Sequence, residues 1–537
     1  MTSQKDSQTI SGCLALTDVD HIKSFIFAAP YLREIRGGSG ILARLNDPTE
    51  PKEVSERVTS RGGELLYAGG GSVLARFPAW EEASAFLKAE SLKLEEQTKG
   101  GARMTGVIAE VDAGGFGPAI IAAQSRLREA KARRAAEIQS TPCLLYKPCQ
   151  ACGARPAEQA GSRRDWLVCP PCEERSRQGG ERAESRRLYA AFKAGFDDTS
   201  RDYWHAVVSP GDLNALASSS KGYIGVIQAD GNAIGERVRL LAEIGDEKLF
   251  GRFSEECRQA TEGAVLSALR AAYPEPRKYE GKDIYPFEFV LLGGDDVEII
   301  TTAEEAITIA VSFCEAFTER MSRFAENSGH PELAVAMSAG VVLAQSSYPI
   351  TSLDNIAGQL LRAAKASSRR LSEQSLIPTI DFMVVTASST GTVEAIRSKE
   401  YRQHSLRFTQ RPYTTRELSG LINALGLMKR PPRGATPFPR NKLRSLYEMF
   451  FPFRGKEQAE LEYLLLQKRL SDKGQVSHRE MLRHLNQIAG VEHPDFSFWR
   501  EVGEGSVEFD TCLVDAVEIY EFLPRRFGQE QDAAAED

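Results

Sequence analysis

Residues 286–300 read as two apolar, β-branched runs that meet at Gly293-Gly294-Asp295-Asp296, which predicts two strands joined by a tight turn. Another apolar run, residues 222–229, ends in Asp230 and Gly231 and reads as a strand. The stretch 303–326 changes to helical period, with Ala306, Ile309, Ala310, Phe313, Phe317, Met321 and Phe324 on one face, and residues 333–344 return to a strand pattern. Strand, helix, hairpin, helix, strand is the order of a ferredoxin-like split unit.

The same order occurs earlier in the chain. Residues 12–20 parallel residues 222–230, with the spacing from Gly12 to Asp20 equal to that from Gly222 to Asp230. Residues 64–77 parallel the later hairpin, and Gly69-Gly70-Gly71-Ser72 stands where Gly293-Gly294-Asp295-Asp296 stands. A helix over 80–96 and a strand over 104–112 follow. This predicts an internal duplication whose first copy keeps the fold and, with Asp20 as its remaining acid, does not run two-metal chemistry. The competing reading of the first copy is a purely structural pseudo-domain.

Paired acids at a turn repel each other unless something neutralises them, and a divalent ion does so best. Asp230, Asp295 and Asp296 are therefore the candidate catalytic ligands for two Mg²⁺ or Mn²⁺ ions, as a polymerase-type palm requires. The bland alternative is a Gly-Asp turn with solvated acids. Candidate nucleotide contacts are Gly231 and Asn232 after the first strand and Gly293 and Gly294 in the turn, glycine leaving room for a phosphate. Lys365, near the end of a helical stretch over 354–370, is a further candidate. In the first copy the backbone of Gly69, Gly70, Gly71 and Ser72 can cradle a nucleotide. Gly37, Gly38 and Ser39, in an Arg/Gly segment, are added as a phosphate contact.

Nine cysteines in 537 residues do not make a disulfide scaffold. Cys149, Cys152, Cys169 and Cys172 form two CxxC pairs with sixteen residues between them, the signature of a structural zinc site with four cysteine ligands. Cys143 is set aside as a spare thiol, and Cys13, Cys257 and Cys314 sit in apolar patterns. Free thiols beside a zinc site point to a reducing cytoplasm. No run approaches the length of a membrane span, and residues 1–9 lack the apolar core of a signal peptide. A formal charge of −7 excludes a generally nucleic-acid-binding surface, so any RNA contact is local or borrowed from other subunits. Basic stretches at 126–134, 175–187 and 429–433 read first as solvated faces. From about residue 408 the pattern is helical, and the acidic, alanine-rich tail reads as disordered.

Taken together, Asp18-Val19-Asp20, residues 32–39, both hairpins, Ser338-Ala339-Gly340-Val341, Tyr348-Pro349-Ile350, Arg411-Pro412-Tyr413-Thr414 and the cysteine knuckles resemble the large polymerase-cyclase subunit of type III CRISPR effector complexes, the Cmr (III-B) branch in particular. The resemblance implies an α+β chain. It has a first, degenerate palm (1–140), a zinc-binding and helical linker (141–218), a catalytic second palm (219–405), an all-α C-terminal domain (406–528) and a disordered tail (529–537). It implies that ATP is joined 3′–5′ and cyclised into oligoadenylate messengers when a complex with other subunits and guide RNA captures target RNA. The first palm would hold a second ATP. Many relatives carry a His-Asp nuclease domain. No His-Asp dipeptide occurs here, so no built-in DNase is expected. A stand-alone nucleotide cyclase and a catalytically silent scaffold are the competing readings. The latter is weakened by the joint presence of Asp230, Asp295 and Asp296.

Overall fold

The computed structural model describes residues 12–45, 54–135, 146–162, 165–181, 187–385, 391–431, 436–451, 455–472, 476–503 and 508–524. Cys143, residues 1–9 and the acidic tail lie outside them, as do parts of the basic stretches at 175–187 and 429–433.

The first sheet is built from β1 (Cys13–Asp20), β2 (Glu64–Gly69), β3 (Ser72–Phe77) and β4 (Arg103–Glu110), in the order β2-β3-β1-β4. Between β1 and β2 come the short α1 (Ile22–Ile26) and α2 (Leu32–Leu45). The helices α3 (Trp80–Thr98) and α4 (Phe116–Ala135) pack on β1 and β4. After the cysteine knuckles, α5 (Pro170–Glu181) crosses α2. This crossing explains Gly37. A Cβ there would lie 1.8 Å from the Arg175 carbonyl oxygen, and one on Gly179 would lie 1.8 Å from the Arg33 carbonyl oxygen. The two backbones touch because neither helix has a side chain at the crossing.

A six-stranded sheet follows, from β5 (Tyr223–Gly231), β6 (Phe287–Gly293), β7 (Asp296–Thr302), β8 (Met337–Gln345), β9 (Thr379–Val384) and β10 (Tyr413–Thr414). Its order is β6-β7-β5-β8-β9-β10, so its first four strands repeat the arrangement of the first sheet. Between β5 and β6 runs α6 (Glu247–Ala272), whose N-cap Asp246 accepts from the backbone N–H groups of Lys248 and Leu249. On one face, α7 (Ala303–Asn327) buries Ala306, Ile309, Ala310, Phe313, Phe317 and Met321, with Phe324 half-buried at its end. On the other face α8 (Ile350–Leu371) packs on β5, β8 and β9. The central strands are covered on both faces, which accounts for their nearly unbroken apolar runs.

The two hairpins share a detail finer than strand order. In the first, the register runs Gly69↔Ser72, Ala68↔Val73, Tyr67↔Leu74, then slips one residue to Leu65↔Ala75. In the second it runs Gly293↔Asp296, Leu292↔Val297, Leu291↔Glu298, then slips to Phe289↔Ile299. A bulge at the same distance from the turn gives both hairpins the same added twist. Each hairpin is also gripped by the other half: α2 packs on β6, and α6 packs on β2.

Two expectations need correction. The C-terminal region is not all-α. It has helices Thr415–Lys429, Arg440–Glu448, Lys456–Asp472, Val476–Ile488 and Leu513–Tyr520, but also a four-stranded sheet of the two-residue strands Arg402–Gln403, Leu406–Arg407, Phe509–Asp510 and Arg500–Glu501. Strands this short carry no readable alternation. In addition, β10 extends the large sheet past residue 405, and a capping box formed by Thr414 and Glu417 starts the next helix directly from it. Among the described residues, no helix is long and apolar enough to cross a membrane.

Candidate functional site

Asp230 is the penultimate residue of β5, and Asp296 opens the neighbouring strand β7, whose next residue Val297 faces Ala229. Gly294, at φ +63°, turns the chain so that Asp295 leaves the hairpin toward Asp230. The Asp295 and Asp230 carboxyls are within hydrogen-bonding reach, and Asp295 Oδ2 lies 3.0 Å from where a Gly231 Cβ would stand. Lys365 of α8 donates to Asp230 and, at 2.8 Å, to the Gly231 carbonyl. The structure thus brings Asp230, Gly231, Gly293, Gly294, Asp295, Asp296 and Lys365 together.

The acids oppose one another's ionisation. Burial, then the charge of Asp230, holds the Asp295 carboxyl well above the usual carboxylate range; the same causes push Asp296 up to about 6. Lys365 lowers both and Lys23 lowers Asp296, without cancelling the rise. A carboxylate cluster short of positive charge, beside a glycine turn that leaves it partly open to solvent, is a donor set that divalent ions would complete. The residues fit such ions.

Asn232 behaves differently. It is 2% exposed and its amide nitrogen donates to Ser368 Oγ at 3.0 Å and to the Ser375 carbonyl at 3.2 Å, so it braces the C-terminal end of α8. Gly37, Gly38 and Ser39, the candidate phosphate contact of the first copy, are also set in a helix. They lie inside α2, where the first two are buried against α5 and the α1 region. A helix crossing and a phosphate loop use the same residue type, and a short Arg/Gly segment does not tell them apart.

The first hairpin is part of the same place. Its turn abuts the second one: a Cβ on Gly293 would lie 3.1 Å from the Gly70 amide nitrogen, and one on Gly69 would lie 3.4 Å from that of Gly294. The Tyr67 hydroxyl sits 2.9 Å from a would-be Gly294 Cβ, and burial followed by the charge of Asp295 pushes its pKa upward. Ser72 pairs with Asp18 across the sheet and donates to it at 2.7 Å. By this register Asp18, not Asp20, is the counterpart of Asp230. Equal spacing from a preceding glycine suggested Asp20, but strand pairing rather than sequence distance fixes which residue meets the turn. Lys131 of α4 reaches Asp18, as Lys365 reaches Asp230, and lies 3.6 Å from Asp20. The repeat could have flagged Lys131, the counterpart of Lys365; neither it nor Tyr67 was singled out from the sequence.

Lys23 of α1 was also missed. Its Nζ lies 3.0 Å from Glu298 Oε2 on β7 and 3.2 Å from Asp354 Oδ1 on α8. A charged residue interrupting the apolar run 297–300 was the available signal.

The cysteine knuckles form a second centre. One sulfur from each of Cys149, Cys152, Cys169 and Cys172 lies within 4.8 Å of the others. Mutual contact raises the thiol of Cys169 to about 12 and that of Cys172 still higher while lowering Cys152, so four thiolates do not coexist here without a cation. The Arg175 guanidinium donates to Cys172 Sγ at 2.9 Å, the kind of outer contact that steadies a metal-bound thiolate. Four cysteines in this arrangement could hold a structural zinc ion.

Residues 223–372 match the family model of the Cas10/Cmr2 second palm domain. No curated protein sequence matches the chain. Among solved structures, Csm1 of T. onnurineus superposes with a TM-score of 0.55 at 13% identity, covering 96% of this chain and 70% of that one. A Csm1–Csm4 cassette in complex with cA4 gives 0.53 at 14% identity (96% and 70% covered), and one in complex with AMPPNP gives 0.51 at 15% (96% and 70%). At such identities the likeness is one of fold.

Proposed function

We propose that this chain, whose residues 223–372 form a Cas10/Cmr2 second palm domain, is a nucleotidyltransferase that joins ATP into cyclic oligoadenylates as a subunit of a type III CRISPR effector complex. The observation that carries this reading is the convergence of Asp230, Asp295 and Asp296 in a partly open crevice where two lysines leave their charge incompletely balanced. When bound, two divalent ions would supply charge neutralisation at the triphosphate and a lowered pKa at the attacking 3′-hydroxyl. The three aspartates would hold those ions. Lys365 orients Asp230 and presents a cation beside the site for a phosphate oxygen. Gly293 and Gly294, whose lack of side chains lets the turn of the first hairpin approach, would contact a phosphate through their backbone N–H groups. No protein nucleophile is needed, because such chemistry rests on positioning and electrostatics.

The first sheet completes the picture as a second palm that lost its hairpin acids, with its Gly69 to Ser72 turn facing the place where a second ATP would lie. The four-cysteine cluster holds zinc in this reading. Partners follow from the relatives: Csm1 has been crystallised with Csm4, and other subunits with guide RNA would bring target RNA as the activating signal.

The test is to incubate the full chain with ATP and Mg²⁺ or Mn²⁺, alone and within its guide complex with and without target RNA, and to resolve products by mass spectrometry. Cyclic oligoadenylate made only with target RNA supports the proposal in full. Product made equally by the isolated chain identifies a stand-alone cyclase. No product under any condition leaves a scaffold and sinks the enzyme reading.

A further inference from the structure

The acid-bearing hairpin carries two buried carboxylates besides those at its turn, one per strand. Glu288 on β6 is 0% exposed at its side chain, and Glu298 on β7 is 1% exposed. Each meets a cation from the N-terminal half. Arg36 of α2 donates to Glu288 Oε2 through Nε at 2.7 Å and again through Nη2, which also donates to the Pro210 carbonyl at 2.7 Å. Tyr189 adds its hydroxyl to Glu288 Oε1 at 3.1 Å. Lys23 of α1 meets Glu298 at 3.0 Å and Asp354 at 3.2 Å, and Asp354 in turn accepts from Gln228 at 2.5 Å. Gln228 is two residues before Asp230; Glu298 is two residues after Asp296.

The duplication supplies an internal control. Matching the hairpins by their common bulge, the counterpart of Glu288 is Glu64, which is exposed, and the counterpart of Glu298 is Leu74, which is buried and apolar. Buried carboxyls facing a cation, from the buried Arg36 and the half-exposed Lys23, are therefore found on the hairpin that carries Asp295 and Asp296 and not at the matching positions of the one that lacks them. Stability alone does not call for them, since apolar side chains of similar size pack at least as well as a buried pair. What a pair adds is direction: a carboxylate with a fixed partner holds its strand in one position along and about its axis.

We propose that Arg36 and Lys23 are positioning residues that lock the two strands of the acid-bearing hairpin, so that the N-terminal half sets the placement of Asp295 and Asp296. The inference rests on the enzyme reading above for its kinetic consequence and on geometry alone for the lock. It gives the N-terminal half a task in the reaction besides offering a surface to a nucleotide.

Single removal of either cation leaves a buried charge unpaired and can unfold the chain. The test therefore uses neutral double variants, Arg36→Met with Glu288→Gln and Lys23→Met with Glu298→Gln, in the full chain. Melting temperature, kcat and KM for ATP with Mn²⁺, and Mn²⁺ affinity by electron paramagnetic resonance are all measured. The doubles are expected to melt near the wild type yet lose about 10- to 100-fold in kcat, with KM changed about twofold or less, since a displacement near 1 Å costs on that order. Lys23→Arg, which keeps the cation opposite Glu298, should retain most of the kcat that the Lys23→Met with Glu298→Gln double loses. Doubles with wild-type kcat and Mn²⁺ affinity would overturn the proposal, as would a kcat loss that merely tracks unfolding. If the wild type makes no product even within its guide complex and with target RNA, the enzyme reading fails by itself. The lock is then judged on Mn²⁺ affinity, expected to be about tenfold weaker in the doubles, and equal affinity refutes it.

Discussion

The two hairpins of this chain have the same register from the turn and the same bulge, yet one ends in Gly70-Gly71 and Ser72 and the other in Gly294-Asp295 and Asp296. The difference is built into the backbone. In the first turn both Gly70 and Gly71 have positive φ, at +58° and +86°, whereas in the second only Gly294 does. Ile22 of α1 fills the place where a side chain at 71 would go, its Cδ1 being 2.4 Å from a would-be Cβ. The first turn has thus not simply lost two carboxylates. Its turn geometry and its neighbour have closed over the vacancy, and its glycines now serve the close approach of the two turns.

The sharpest way to break the comparison is at the acids themselves. Replacing Asp295 and Asp296 by Ala should reduce nucleotide joining by at least about 10³-fold, the scale of losing preorganised charge at a reacting centre. Circular dichroism should show an intact fold, and survival of near wild-type turnover in a radiolabelled ATP assay would remove the assigned site.

The next effect concerns the join between the halves. Gly37→Ala places a methyl 1.8 Å from a backbone oxygen of α5, which neither helix can relieve by a rotamer change. A loss of about 3 kcal/mol is expected in chemical denaturation. Changing Cys149 and Cys172 to Ser should act on the same join from the other end, abolishing zinc in elemental analysis. Unchanged zinc content would reject the cluster as a metal site.

A smaller effect tests whether the first turn can be returned to the state of the second. Gly71→Asp with Ser72→Asp should cost about 2 kcal/mol, because φ +86° strains a side-chain-bearing residue and Ile22 obstructs it. Mn²⁺ titration should reveal no additional high-affinity ion. A gained ion would mean that the first turn remains convertible.

Strand order, the duplication, the hairpin acids and the cysteine knuckles were legible in the sequence because each is a local pattern: alternation, helical period, or fixed spacing. The parts that were not legible depend on contacts between distant segments. Asp18 rather than Asp20 meets Ser72 because of strand register, and Tyr67 matters because two turns touch. Gly37 looked like a phosphate contact and is a helix crossing, since local sequence does not say which backbone approaches a glycine. The small C-terminal sheet was missed because its strands are two residues long and pair across a hundred residues.

The smallest expected effect sharpens the electrostatic side of the comparison. Asp296 has a folded-state pKa of about 6, raised by burial and by Asp230, against about 3.9 in the unfolded chain. A raised carboxyl means that the folded state holds its proton more tightly, so this group's stabilising contribution is complete below about pH 4 and is lost as pH rises through about 6. Carboxylates whose pKa is lowered, such as Glu174 and Glu255, slope the other way, so the reading must be differential. In metal-free protein, the melting temperature of the wild type relative to Asp296→Asn should fall between pH 4 and 6 and level off above. Ser72→Asn in the first hairpin should show no such relative slope, because a hydroxyl at that place does not titrate in the window. Adding Mg²⁺ above pH 6 should restore the wild type and leave Asp296→Asn less affected. A flat difference across the window, with no response to Mg²⁺, would mean that the second turn is as electrostatically quiet as the first.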